Sequence, residues 1–237
     1  MSANFEELDF QKTEIGELSL RRRRILSLGG KEIFEIKLGD KFLMSSLFTK
    51  AEVALADFAL AELDGTALEV VVGGLGLGYT ARAALENPAV KSVVVIEALP
   101  IVIDWHRRGL VPLGPPLMAD ERCRLVHADF FAAIRSRVLD PENPGHLFDA
   151  ILLDIDHSPQ DRLDARHESF YQVEGLQQVA THLCPGGVFG LWSDDPPEDE
   201  VLRALDGAFA ECRAHIVTFP NPLQGNDSAS TVYIARK

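Results

Sequence analysis

From Ala67 onward the chain alternates short apolar runs with stretches of helix-forming residues, and few folds accept that texture. The runs are Leu68–Val72, Ser92–Ile96, Cys123–Val126, Phe148–Leu153 and Val188–Trp192. Each is apolar at odd and even positions alike, so neither face suits water. Such strands belong in a parallel sheet covered by helices on both sides. Repeated strand–helix alternation predicts a doubly wound α/β domain. The end of the chain breaks the rhythm. His215–Phe219 and Ser230–Ala235 flank a loop rich in Pro, Asn and Gly that leaves no room for a helix. They are expected to pair as an antiparallel hairpin, closing a mainly parallel seven-stranded sheet.

Residues 1–64 read differently, and are expected to form a small N-terminal part beside an α/β domain over residues 65–237. Residues 1–19 are polar and acidic and predict a loose arm. Residues 20–47 are rich in β-formers, with turns at Gly29, Gly30 and Gly39, and predict two or three short antiparallel strands. Thr49 and Glu52 have the spacing of a capping box, which starts a helix. Val53, Leu55 and Phe58 give that helix an apolar face, and Gly65 marks its stop. The run Arg21–Arg24 predicts a solvated strand or turn.

Composition narrows the function. At about 150 residues per domain, 237 residues make one large domain or one with an appendage. A net charge of −13 argues against non-specific nucleic-acid binding and is compatible with a cationic small substrate. No apolar run approaches the roughly 18 residues of a membrane helix, so no membrane association is expected. The N-terminus carries acids where an export signal carries bases, and Cys123, Cys184 and Cys212 have no metal or redox spacing. A cytoplasmic protein without a metal is expected.

The candidate site residues cluster at predicted strand ends. The first α/β strand runs into Gly73-Gly74-Leu75-Gly76-Leu77-Gly78, and a helix follows. Gly74, Gly76 and Gly78 let the backbone turn sharply and approach a ligand. Glu97 ends the next strand, 19 residues after Gly78, where a carboxylate can accept both hydroxyls of a ribose. Asp129 ends the third strand and can accept from a base amino group, cap the next helix, or do both. The fourth strand breaks into Asp154, Asp156 and His157, which can hold a cation or take a proton from an amine; a plain turn is the alternative. Whether Asp154 and Asp156 share a face is left open. His167 reads as part of a solvated helix face, and Asp194-Asp195 before Pro196-Pro197 as a helix start. Trp192 either lines the pocket or fills the core.

Together these features resemble the spermidine synthases (polyamine aminopropyltransferases), and the hairpin-closed sheet resembles the fold of S-adenosylmethionine-dependent methyltransferases. The similarity spans residues 20–237. The glycine loop is similar to the family's Gly-Gly-Gly-Asp-Gly-Gly. Glu97 matches its ribose-binding acid and Asp129 its acid near the adenine. Phe148–Asp154 resembles the strand before its Asp-x-x-Asp-Pro loop, and Glu168-Ser169-Phe170-Tyr171 the aromatic stretch after it. The sequence departs from the family at three places. Gly76 replaces an Asp, His157 stands at or near the second Asp, and Leu55-Ala56-Asp57 takes the place of Tyr-His-Glu.

The resemblance implies a transferase that binds S-adenosylmethionine or its decarboxylated form as co-substrate. Asp154, His157 and Asp156 would be catalytic, Gly74, Gly76, Gly78, Glu97 and Asp129 would hold the nucleoside, and Tyr171 and Trp192 would meet the substrate. The acceptor would be a small amine or other nucleophile. A methyltransferase, or a non-catalytic nucleoside-binding partner subunit, are the alternatives. Gly76 is expected to free backbone amides for the carboxylate of ordinary S-adenosylmethionine. A homodimer through residues 20–47 is expected, because short strands with free edges are usually covered.

Overall fold

The structure, a computed structural model, describes residues 4–237. Four strands open the chain: β1 (Phe5–Thr13), β2 (Gly16–Ile25), β3 (Lys31–Leu38) and β4 (Lys41–Ser45). They form an antiparallel sheet in sequence order. The expected loose arm is therefore mostly a strand, β1, while β2, β3 and β4 are the expected strands of residues 20–47, β2 starting a little earlier. Cross-strand charge explains the difference. Glu6 and Glu7 of β1 stand opposite Arg22 and Arg21 of β2, while Arg23 reaches Glu35 of β3 at 2.9 Å. Opposite charges directly across a ladder stabilise it, by about 0.2–1 kcal/mol per pair. Asp9 then anchors β1 to the rest of the molecule, accepting from Trp105 Nε1 and from Arg108, each at 3.0 Å.

Helix α1 (Lys50–Ala61) follows. The α/β part comprises β5 (Leu68–Gly73), α2 (Tyr79–Glu86), β6 (Val90–Glu97), α3 (Pro100–Arg107), α4 (Gly114–Ala119), β7 (Cys123–His127), α5 (Phe130–Ser136) and β8 (Phe148–Leu153). A 3₁₀ turn (Ala165–Tyr171), α6 (Val173–Ala180), β9 (Leu183–Ser193), α7 (Asp199–Asp206), β10 (Glu211–Asn221) and β11 (Asn226–Arg236) complete it. The seven strands lie in the order β10-β11-β9-β8-β5-β6-β7. β5 to β9 are parallel, and β10 and β11 form the antiparallel end. This is the methyltransferase-like arrangement.

Apolar residues at both parities have the expected consequence. Val70 and Val72 belong to the core on one face of the large sheet and Val71 to the core on the other, all three with no exposed surface. α1 lies on the first face, where Leu55 and Ala59 pack over Gly190 of β9. Leu18, Leu20 and Ile36 join the same core, so the small sheet is seated on the large one. Strand order reverses between β5 and β8, and a crevice opens at their carboxyl ends.

Two expected helix starts differ in detail. Thr49 makes no capping bond through its side chain, and Glu52 is buried rather than turned back to the helix start. The Asp194-Asp195 pair does not start a helix either, since α7 begins at Asp199.

Candidate functional site

β5 leaves the sheet through Gly73 and a loop that ends at α2. Gly74 has φ +96°, and a Cβ on it would stand 2.1 Å from the Asp154 carbonyl oxygen. Glycine alone lets the chain turn this way with the β8 segment so close. Gly76, at φ +47°, lies beneath Met44 of β4, whose sulfur would stand 2.8 Å from a Cβ.

Four of the loop's amides, those of Gly74, Leu75, Leu77 and Gly78, have hydrogen-bond partners. Gly74 donates to the Ile96 carbonyl at 2.9 Å and Gly78 to the Leu75 carbonyl at 2.7 Å. Leu75 donates to Glu97 at 3.0 Å, Gly76 turns its amide to the same carboxylate, and Leu77 donates to the Met44 sulfur at 3.1 Å. Two of the amides expected to receive an incoming carboxylate already have partners: Leu75 N has Glu97 and Leu77 N has the Met44 sulfur. His106 supports the loop from behind, its Nε2 donating to the Gly76 carbonyl at 3.0 Å.

Above the loop lies a cavity of about 200 Å³ between the small sheet and the strand ends. Its two ends differ chemically. Toward β6 and β7, Ile96, Leu99 and Phe130 provide apolar walls, with Glu97 and Asp129 among them. Glu97 also receives Leu99 N at 2.8 Å. Burial pushes its carboxyl up, while the surrounding amides oppose that shift. Asp129 caps α5, accepting from Ala132 N at 3.0 Å, and lines the cavity as well. The arginine of the lining, Arg166, is held by Asp164 at 2.6 Å.

Toward β8 and β9 the cavity is acidic. Glu52 of α1 and Asp154 line it, and Asp194 lines an adjoining cavity of about 280 Å³ that shares His157. Burial, with the Asp154 charge adding, pushes Glu52 up to about 8. Burial also pushes Asp154 up to about 6, against the opposing bond from the Thr80 hydroxyl at 2.6 Å. Asp194 shifts upward for the same reason. None of the three pairs with a lysine or arginine among the described residues, and Trp192 Nε1 is buried beside them without a partner. The described residues contain no cluster of three or more His, Cys, Asp or Glu placed to hold a metal ion.

Solved structures of similar architecture are known. A spermidine synthase from Thermotoga maritima superimposes with a TM-score of 0.74 and 18% identity, over 98% of this chain and 72% of that one. A spermidine synthase in complex with the transition state analogue AdoDATO gives 0.76 and 18%, over 98% and 73%. The fold is spermidine synthase-like. No protein-family model matches the sequence.

Within this spermidine synthase-like fold, Gly74, Gly76, Glu97 and Asp129 meet at one cavity. Asp154, His157 and Trp192 line the same space. Gly78, Asp156 and Tyr171 stand outside that lining. Gly78 packs against Leu117 and His106. Asp156 is enclosed, with a side chain 1% exposed, and accepts from Leu163 N and Tyr171 Oη, each at 2.8 Å. Asp154 and Asp156 thus serve different surroundings.

Sequence reasoning missed Glu52, Met44, His106 and His167. Glu52 fitted a capping pattern, which hid its burial. The acid that α1 brings to the cavity is Glu52, whereas Leu55 and Ala56 lie in the core. His167 is not solvated: its side chain is 14% exposed and lies on the Phe131 ring, 3.8 Å between centroids. No local pattern marks Met44 or His106.

Proposed function

We propose that this protein is a transferase that takes decarboxylated S-adenosylmethionine and moves its aminopropyl group to a small amine. The cavity's asymmetry carries the reading. An apolar end with Glu97 and Asp129 suits a nucleoside, and an end with Glu52 and Asp154, neither paired with a lysine or arginine, suits cationic groups. The fold likeness to spermidine synthases supports the same class.

In the transfer, the amine lone pair forms a bond to the carbon beside the sulfonium as the carbon–sulfur bond breaks. The sulfur keeps that electron pair and leaves as a neutral thioether. The amine must first shed a proton. Asp154, raised by burial to about 6, is an acceptor matched to neutral pH. His157, between the two cavities, is placed to pass that proton outward.

Ordinary S-adenosylmethionine carries an extra carboxylate. It would find most amides of the glycine loop already bonded and would face Glu52 and Asp154. Calorimetry should therefore show the decarboxylated form binding at least tenfold tighter, about 1.4 kcal/mol. Methylthioadenosine should appear when putrescine or spermidine is added with it. Equal or tighter binding of S-adenosylmethionine would move the reading to methyl transfer. If no nucleoside binds, the nucleoside site itself is refuted.

We further propose a homodimer through the N-terminal sheet. β1 and β4 leave free edges there, and Phe5, Phe10 and Phe42 are exposed. Light scattering should give twice the chain mass; a monomer at micromolar concentration would refute it.

A further inference from the structure

The buried network around Asp156 does more than hold a loop. Asp156 accepts three kinds of donor at once: the Leu163 amide, the Tyr171 hydroxyl and the His167 ring nitrogen Nδ1, the last at 2.9 Å. A carboxylate so surrounded accepts only, so the hydrogen between Asp156 and His167 sits on Nδ1. In the neutral ring, Nε2 is then an acceptor. Both of the ring's hydrogen bonds run through Nδ1, which leaves Nε2 available. The ring lines the cavity and lies nearly parallel to Phe131, at 24°, which fixes its plane.

Position along the sheet says what this acceptor meets. Phe131 follows β7, at the apolar end of the cavity, beyond Glu97 at the end of β6. A ribose on Glu97 with its sulfonium arm toward the acids after β8 and β9 leaves the base beside His167. We infer that His167 Nε2 accepts a hydrogen bond from the exocyclic amino group of the bound base, with Asp156 as the positioning residue that keeps the ring in the accepting tautomer. The inference rests on the nucleoside reading above. It makes the site selective for an amino purine over an oxo purine, because an oxo group would turn a lone pair toward a lone pair.

The test compares methylthioadenosine with methylthioinosine by calorimetry, on the wild-type protein and on His167→Phe. Phenylalanine keeps a flat ring against Phe131 and removes the acceptor. The wild type should prefer methylthioadenosine by at least tenfold, and His167→Phe, which leaves Asp129 in place, should lose most of that preference. Equal binding by the wild type, or a preference that survives undiminished in His167→Phe, overturns the inference while leaving the nucleoside site standing. Failure of both compounds to bind the wild type refutes the nucleoside site and the inference with it. Nitrogen NMR of the wild-type imidazoles gives a check that needs no variant. His167 should carry its hydrogen on Nδ1, and Nε2 should shift on adding methylthioadenosine but not methylthioinosine. A hydrogen on Nε2 overturns the assignment.

Discussion

Replacing Gly74 by alanine is expected to destabilise the protein by about 3–5 kcal/mol and to abolish nucleoside binding. Two costs add. An alanine at φ +96° is strained by about 1–3 kcal/mol. Its Cβ would also stand 2.1 Å from the Asp154 carbonyl oxygen, a backbone atom without freedom to swing aside. Relief requires β5 and β8 to part where Asp154 N donates to the Gly73 carbonyl at 2.8 Å and Gly74 N to Ile96 at 2.9 Å. At roughly 2–4 °C per kcal/mol for a chain of this size, the melting temperature should fall by about 10 °C. Gly76→Ala is the matched control. Its φ of +47° lies in the ordinary left-handed region, and its Cβ would meet the flexible tip of Met44. That change should cost only about 1 kcal/mol. Similar losses at the two positions would show that the close approach of β5 and β8 is not what Gly74 serves.

The second large effect concerns pH. Burial holds the Glu52 carboxyl well above its ordinary value, so the folded chain binds that proton more tightly than the unfolded chain. The stability contributed is fully present below the unfolded value, near 4.5, and is lost as pH rises through the folded value, about 8. Glu52→Gln removes the ionisation and keeps the shape. The variant should match the wild type at pH 4.5 and exceed it at pH 9 by on the order of 2–4 kcal/mol. Chemical denaturation at both pH values measures this. A difference independent of pH would mean that Glu52 is solvated in the folded protein. Under the proposed chemistry the same variant should weaken amine binding, because a cation between Glu52 and Asp154 offsets their burial.

What could be read from the sequence was local in its physics. Parallel strands are apolar on both faces because both are covered, and that pattern is written in Leu68–Val72 and Phe148–Leu153 themselves. The glycine loop and Glu97 were legible because their spacing follows from one strand–loop–helix–strand unit. The hairpin at the end was legible because its loop is too short for a crossover. These determined the sheet, its antiparallel end and the position of the crevice.

The rest depended on segments far apart in the chain. β1 is a strand because Glu6 and Glu7 meet the arginines of β2 and Asp9 meets Trp105, and neither meeting leaves a local trace. Glu52 satisfied a helix-start pattern, yet tertiary packing turned it to the cavity, where burial changes its chemistry. Met44 reaches the Leu77 amide across 33 positions and takes the place that an empty loop would have offered a ligand. His167 became a packed, half-buried ring through Asp156 and Phe131. A residue's type and spacing determine which backbone it favours; its protonation and its partners follow from the dielectric and the neighbours that only the folded chain supplies.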